Sequence, residues 1–289
     1  MNELSLRPNL LGFELYHGER PLTLYRACEE LPCTDSPKPC FAPIYDSSGQ
    51  LITEYRPADH TWHTGLFFGW VHANDANLWG GNRYQPASGK YEIEDGPIHG
   101  VQRHDCFREL IESGSQVGLR EHLTWLDAED GELACETRDL SFELCKGGYR
   151  WTIESTITPT SSSLTLGGSR AKAGYSGLVL RMGPPFAEAH HICSEGRVGH
   201  EAIMKQPARW VAASGAAGGM VALFDHPRNP RHPVTWFTRK NLLGTGPLQS
   251  GDLEIASTDH LSLRHAFLVL DVPLTADSLE AEFQRFASD

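Results

Sequence analysis

The chain runs to 289 residues, 40% of them apolar, which is enough material for a packed core and leaves no compositional case for disorder. Its formal net charge of −12 repels phosphate backbones and anionic lipid, and its densest basic group, Arg228, Arg231, Arg239 and Lys240, is broken by prolines and a tryptophan; neither nucleic acid nor a membrane is an expected partner. The seven cysteines (Cys28, Cys33, Cys40, Cys106, Cys135, Cys145, Cys193) include no Cys-x-x-Cys pair, so free buried thiols are expected rather than a disulfide framework or a zinc ribbon.

The first segment, MNELSLRPNLLGFELYHG, has an early glutamate and no small-residue cleavage site, which argues against a secretory signal. No run of roughly eighteen apolar residues occurs anywhere, so no membrane-spanning helix is expected and the protein is read as cytoplasmic. The densest chemistry-bearing stretch is PADHTWHTGLFFGW (57–70), where Asp59, His60, Trp62 and His63 stand just ahead of an apolar strand. Loops at strand ends present side chains free of ladder duties. Two imidazoles three residues apart can share proton transfer, hydrogen-bond a polar ligand or bind a metal. A metal needs at least a third ligand, for which His99, His104, Glu154 and His190 are candidates. The plain alternative is a pair of structural histidines among packing aromatics.

Further along, VGLREHLTWL (117–126), DLSFELC (139–145), YRWTIESTITP (149–159), SGLVLRM (176–182), GGMVALFD (218–225) and LSLRHAFLVLDV (261–272) alternate apolar and polar residues, each bounded by turn material. In YRWTIESTITP this puts Tyr149, Trp151, Ile153 and Ile157 on one face, with Arg150, Thr152, Glu154 and Thr156 on the other, where they can line a cleft. The turns Glu129-Asp130-Gly131 and Lys146-Gly147-Gly148 read as hairpin links. In SRAKAGYSGLVLRMG (169–183) small residues precede Tyr175, and Arg181 sits in a nearly apolar run where burial would demand a carboxylate or an anionic partner. The proline-rich segment FDHPRNPRHPVTWFTRKNLLGTGP (224–247) is stiff enough to hold His226, Asn229, His232, Trp236 and Arg239 in place before a ligand arrives. It can equally be a rigid connection between strands. Finally, TADSLEAEFQRF (275–286) spaces Leu279, Phe283 and Phe286 as one helix face, with Thr275 or Asp277 as its cap.

Strands in succession with one terminal helix predict an all-β, mainly antiparallel sandwich, and without internal repeats or a linker the chain reads as a single domain over residues 1–289. Four fingerprints are missing: Gly-x-Gly-x-x-Gly after a strand, a Walker lysine loop, a Gly-x-Ser-x-Gly elbow and His-Glu-x-x-His.

Taken together, DHTWHTGLFFGW, GYSGLVLRM, ARWVAASG (208–215) and DHPRNPRHPVTWFTR make the chain resemble the PmoA-like family (domain of unknown function 6807) from CFAPIYDSSGQLITEYRPADH to the final strand. The family's inherited label names a methane oxygenase subunit that is an integral membrane protein, and without a membrane span the label does not transfer. The resemblance implies a large sandwich of the galactose-mutarotase type and carbohydrate-like ligands. Against the family pattern Asp-His-Pro-His-His-Arg-Gly, this chain keeps Asp59, His60, His63 and Gly65 and puts Thr61, Trp62 and Thr64 at the other places. A tryptophan there suits stacking on a sugar ring or a base.

The expected function is therefore acid/base catalysis on a sugar or a sugar-containing small molecule such as a nucleoside, foremost elimination of water by a lyase. His60 and His63 would exchange protons and Asp59 would orient an imidazole, while Trp62, His99, Glu154, Tyr175, Arg181, His232, Trp236 and Arg239 would bind substrate. A mutarotase or epimerase, a metal-dependent carbohydrate enzyme and a noncatalytic carbohydrate-binding protein are the alternatives; a divalent metal cofactor and a homodimer stay open.

Overall fold

Alternation becomes sheet most plainly in the strand Gly148–Pro159, where Tyr149, Trp151, Ile153 and Ile157 are all buried while Thr152 and Glu154 turn away from the core. The computed structural model describes residues 4–92, 96–113, 116–160, 162–171 and 173–289. Two antiparallel sheets enclose the core. In hydrogen-bonded order the first runs Leu4–Asn9, Gly12–His17, Arg20–Arg26, Cys40–Ile44, Leu66–Ala73, Gly177–Arg181, Leu242–Thr245 and Trp236–Arg239, with three short strands attached beside it. The second runs His190–Cys193, Trp210–Ser214, Met220–Asp225, Leu261–Leu270, Gly148–Pro159, Glu132–Cys145, Gln116–Leu126 and Val101–Ser113. A small hairpin, Arg83–Gln85 with Lys90–Glu92, stands apart from both.

The expected all-β antiparallel fold with a C-terminal helix is what the chain adopts. Thr275 is the cap, its Oγ1 accepting from the Ser278 N–H at 3.3 Å, and Ala276–Ser288 lays Leu279, Phe283 and Phe286 over Trp210, Phe224, Ala266 and Leu268 on the outer face of the second sheet. A second, four-residue helix, His200–Ile203, was not legible in the sequence. All seven cysteines are free, but Cys28, Cys33 and Cys135 are exposed rather than buried, because they lie in turns or on outward positions of the sheet.

Several inward positions of the second sheet are polar, and four of them form a cluster. Glu121, Glu136, Arg138 and Ser155 are all at most 2% exposed. The Arg138 guanidinium donates to Glu136 at 2.9 and 3.0 Å and to the Tyr25 hydroxyl at 3.0 Å, and lies 3.8 Å from Glu121. Tyr25 in turn donates to Glu121, while Trp125 Nε1 and Ser155 Oγ donate to Glu136 at 2.8 and 2.6 Å. His104 completes the group, 2.7 Å from Glu121. Burial alone would lower the Arg138 guanidinium, but the Glu136, Tyr25 and Glu121 groups around it hold it above its ordinary value. The network ties the two sheets together across the core, since Tyr25 belongs to the first and the rest to the second.

Buried histidines set the acid side of stability. Burial pulls His265 down to about 4 against an opposing Asp225 carboxylate, and His191 down to about 4 as well. In the unfolded chain both titrate near 6.5, so the unfolded state binds more protons between 6.5 and 4 and stability falls as pH drops through that window. Denaturant unfolding at pH 7, 6 and 5 should show a loss for each such histidine that steepens below pH 6.5 toward about 1.4 kcal/mol per pH unit. His265→Gln should lower the slope by about one proton; an unchanged slope would refute the assignment.

Candidate active site

The outer face of the first sheet carries the side chains that the core did not take. Phe67 and Val71 from Leu66–Ala73, Val179 from Gly177–Arg181, Leu242 from Leu242–Thr245 and Phe237 from Trp236–Arg239 form a second apolar layer there with Cys40 and Trp79. On this floor stands a cavity of about 780 Å³, large enough for a sugar-sized ligand. Its walls are Asp59, His60, Trp62 and His63 on one side, Trp79, Asn82 and Tyr91 on another, and Ala173, Tyr175, Arg181, His200, Arg239, Lys240 and Asn241 on the rest.

The histidine wall is built by consecutive tight turns. The His60 N–H bonds to the Pro57 carbonyl, His63 N–H to the His60 carbonyl, and Arg56 N–H to the His63 carbonyl, at 2.9, 2.9 and 2.8 Å. A spacing of three along such turns brings the imidazoles of His60 and His63 together, 4.8 Å apart and 29° from parallel. Asp35 clamps the loop from below, accepting from Arg56 Nη2 at 2.6 Å and from Thr61 Oγ1 at 2.7 Å.

The facing turn explains Trp62. Gly80 and Gly81 have φ of +103° and +64°, values that favour glycine, and the indole lies directly on them: a Cβ at Gly81 would sit 2.7 Å from Trp62 Cε2 and Cζ2. Asn77 shapes this turn, its Oδ1 accepting from Trp79 and Gly80 N–H at 2.9 and 3.0 Å and its Nδ2 donating to Gly81 O at 2.9 Å. Buried Lys38 adds a third brace, donating to the carbonyls of Asp35, Ser36 and Trp79 at 2.9–3.0 Å.

The two histidines differ chemically. His63 is 5% exposed, and its Nδ1 has no hydrogen-bond partner among the described residues. Burial first, then the neighbouring His60, Arg181 and Lys38, depress it to about 2, so it is a neutral imidazole across the working pH range. His60 is half open, and its Nδ1 lies 2.9 Å from Asp59 Oδ2; that interaction holds the Asp59 carboxyl below its usual value. With Nδ1 turned to a carboxylate, His60 keeps Nε2 for a ligand. Opposite, the Tyr175 ring is 4.6 Å from Trp79 and 5.5 Å from Phe237.

Seven of the eleven residues singled out from the sequence line this pocket: Asp59, His60, Trp62, His63, Tyr175, Arg181 and Arg239. Four do not. Trp236 is fully buried and donates its Nε1 to the Ala208 carbonyl at 2.8 Å, because alternation that turns Phe237 and Arg239 outward turns Trp236 into the core. His232 lies across the molecule, 2.7 Å from Asp225 and stacked against Phe283 of the terminal helix. Glu154 is on the outward face of the second sheet, 3.7 Å from Arg264. His99 stands behind the wall, with Nε2 2.9 Å from the Gly81 carbonyl, where it supports the turn under Trp62.

Trp79, Asn82, Tyr91, His200, Phe237, Lys240 and Asn241 were missed. For Trp79 and Asn82 a signal existed in LWGGN, an aromatic beside paired glycines; for His200 there was none. Among the described residues no three His, Cys, Asp or Glu side chains are grouped so that they could hold a metal ion; His104, a proposed third ligand, is committed to Glu121 instead. Nor is any helix among them long and apolar enough to cross a membrane.

The family described as "Family of unknown function (DUF6807)" matches residues 12–284. No curated protein matches the chain. Among solved structures it is similar to a glycoside hydrolase family 97 enzyme from Pseudoalteromonas, with a TM-score of 0.41 and 5% identity over 93% of this chain and 34% of that one. It is similar to a GH36 α-galactosidase from Geobacillus stearothermophilus, with a TM-score of 0.40 and 9% identity over 94% and 42%, so the chain spans well under half the length of either hydrolase. A galactose mutarotase-like protein from Lactobacillus casei gives a TM-score of 0.36 and 9% identity over 92% of this chain and 99% of that one.

Proposed function

We propose that this chain, which belongs to the DUF6807 family of unknown function, is an enzyme that holds a sugar or a sugar-containing small molecule in the pocket over its first sheet and acts on it by proton transfer. One observation carries the reading: His60, coupled to Asp59 at 2.9 Å, is stacked on His63, a neutral imidazole with an unclaimed nitrogen, at the wall of an aromatic cavity. Two like groups in unlike environments can divide the work, His60 exchanging protons and neutral His63 hydrogen-bonding the reacting oxygen.

Trp62, Trp79, Tyr175 and Phe237 give a flat ligand ring faces to stack on, and Asn82 and Asn241 offer amide donors and acceptors to hydroxyl groups. With the Asp59 carboxylate 2.9 Å from Nδ1, His60 presents Nε2 to take a proton from a carbon or hydroxyl of the bound ring, and His63 hydrogen-bonds the oxygen on which charge develops. Elimination of water balances on this pair when His60 serves twice: its Nε2 takes the carbon-bound proton, the C–O bond of the neighbouring hydroxyl breaks as the double bond forms, and the His60 imidazolium returns the proton to the departing oxygen, which neutral His63 hydrogen-bonds.

The test is to incubate the purified full chain with aldoses, sugar acids and nucleosides and to follow mass. A dehydrated product is expected. A product of unchanged mass would replace the lyase by an isomerase or mutarotase, and binding without turnover across the panel would overturn the enzyme reading in favour of a carbohydrate-binding protein.

A further inference from the structure

Building on that reading of the pocket, we infer that its ligand is anionic: a sugar or sugar derivative bearing a carboxylate or a phosphate, docked on Arg239. Three cations line the cavity, Arg181, Arg239 and Lys240, against one carboxylate, Asp59, in a chain whose formal net charge is −12. Two of the three are answered locally. Arg181 Nε donates to Glu54 at 2.9 Å, and Lys240 Nζ donates to Glu188 at 2.8 Å.

Arg239 is not answered in this way. Its Nη1 donates to the carbonyl of Thr238 at 2.9 Å and lies 3.5 Å from Met204 Sδ, and it has no carboxylate partner among the described residues. The guanidinium is held 5.1 Å from the ring of Phe237, which shares its face of the strand Trp236–Arg239. An aromatic beside a guanidinium whose Nε–Nη2 edge has no hydrogen-bond partner among the described residues is a site for a planar or tetrahedral anion attached to a ring, since that edge binds either geometry through paired N–H donors. Charge of the wrong sign over the remaining surface makes such a patch selective instead of generally sticky.

The experiment pairs each neutral hexose with its uronate and its hexose phosphate, and titrates each into the full chain by calorimetry at low and high salt. Charge-assisted hydrogen bonds predict that at least one anionic member binds roughly 10- to 100-fold tighter than its neutral partner. Added salt should shrink that advantage and leave neutral binding unchanged. Arg239→Gln should bring the anion down to the level of the neutral sugar, with Arg239→Lys restoring part of the difference. Neutral sugars that bind as tightly as their charged partners, or a preference that survives Arg239→Gln, would overturn the inference while leaving the pocket reading in place. If no member of any set bound, both would fall.

Discussion

Arg138→Met should destabilise the fold by about 3–5 kcal/mol, the range in which breaking a buried ion pair from one side falls. The reason lies in what is left behind. Glu121 and Glu136 are 0% and 2% exposed, and their shared countercharge is the Arg138 guanidinium, which bonds Glu136 through two nitrogens. Methionine fills much of the volume but leaves two carboxylates on the inner face of one sheet without their guanidinium, with Tyr25 and His104 still beside Glu121 and Trp125 and Ser155 still donating to Glu136. Single domains are commonly stable by about 5–15 kcal/mol, so the loss is a large share of the total. Chemical denaturation with a common slope for wild type and variant measures it. The triple variant Arg138→Met, Glu121→Gln, Glu136→Gln should recover part of the loss, because neutral amides end the uncompensated charge. A single-variant loss below about 1 kcal/mol would show that the network holds little.

On whichever substrate the panel of sugars yields, His60→Ala should lower kcat by roughly 10²- to 10⁴-fold, the usual contribution of a positioned acid or base. KM should move less, because the aromatic walls that hold the ring are untouched. His63→Ala should fall in the same range, and Asp59→Asn should cost less than either, since it leaves the imidazole present but lets it choose its tautomer. Circular dichroism must show each variant folded, since the 57–64 loop is wired to Asp35 through Arg56 and Thr61. Wild-type turnover in both histidine variants would remove the pair from the chemistry.

Much of this was legible because period two is a physical requirement of a half-buried strand. Tyr149, Trp151, Ile153 and Ile157 announced their burial, and Asp59, His60 and His63 announced a crowded turn. What alternation withholds is which of two outer faces bears a cavity. Glu154 was rightly placed facing outward, but outward from the second sheet, whereas the pocket stands on the first. Trp236 and Phe237 are adjacent aromatics, and only the packing of the neighbouring strands decides which one turns inward. Residues such as Tyr91 and His200 reach the cavity from a separate hairpin and a single helical turn, and no local pattern marks them.

The seat of Trp62 on Gly80 and Gly81 makes the cavity adjustable at one point. A smaller residue at 62 would open a slot reaching down to the turn braced by Asn77, His99 and Lys38, exchanging an aromatic platform for room to take a larger substituent. The floor and the histidine wall would stay as they are. Divergence of ligand preference can therefore proceed by trimming or restoring a single indole, with the catalytic geometry carried along unchanged.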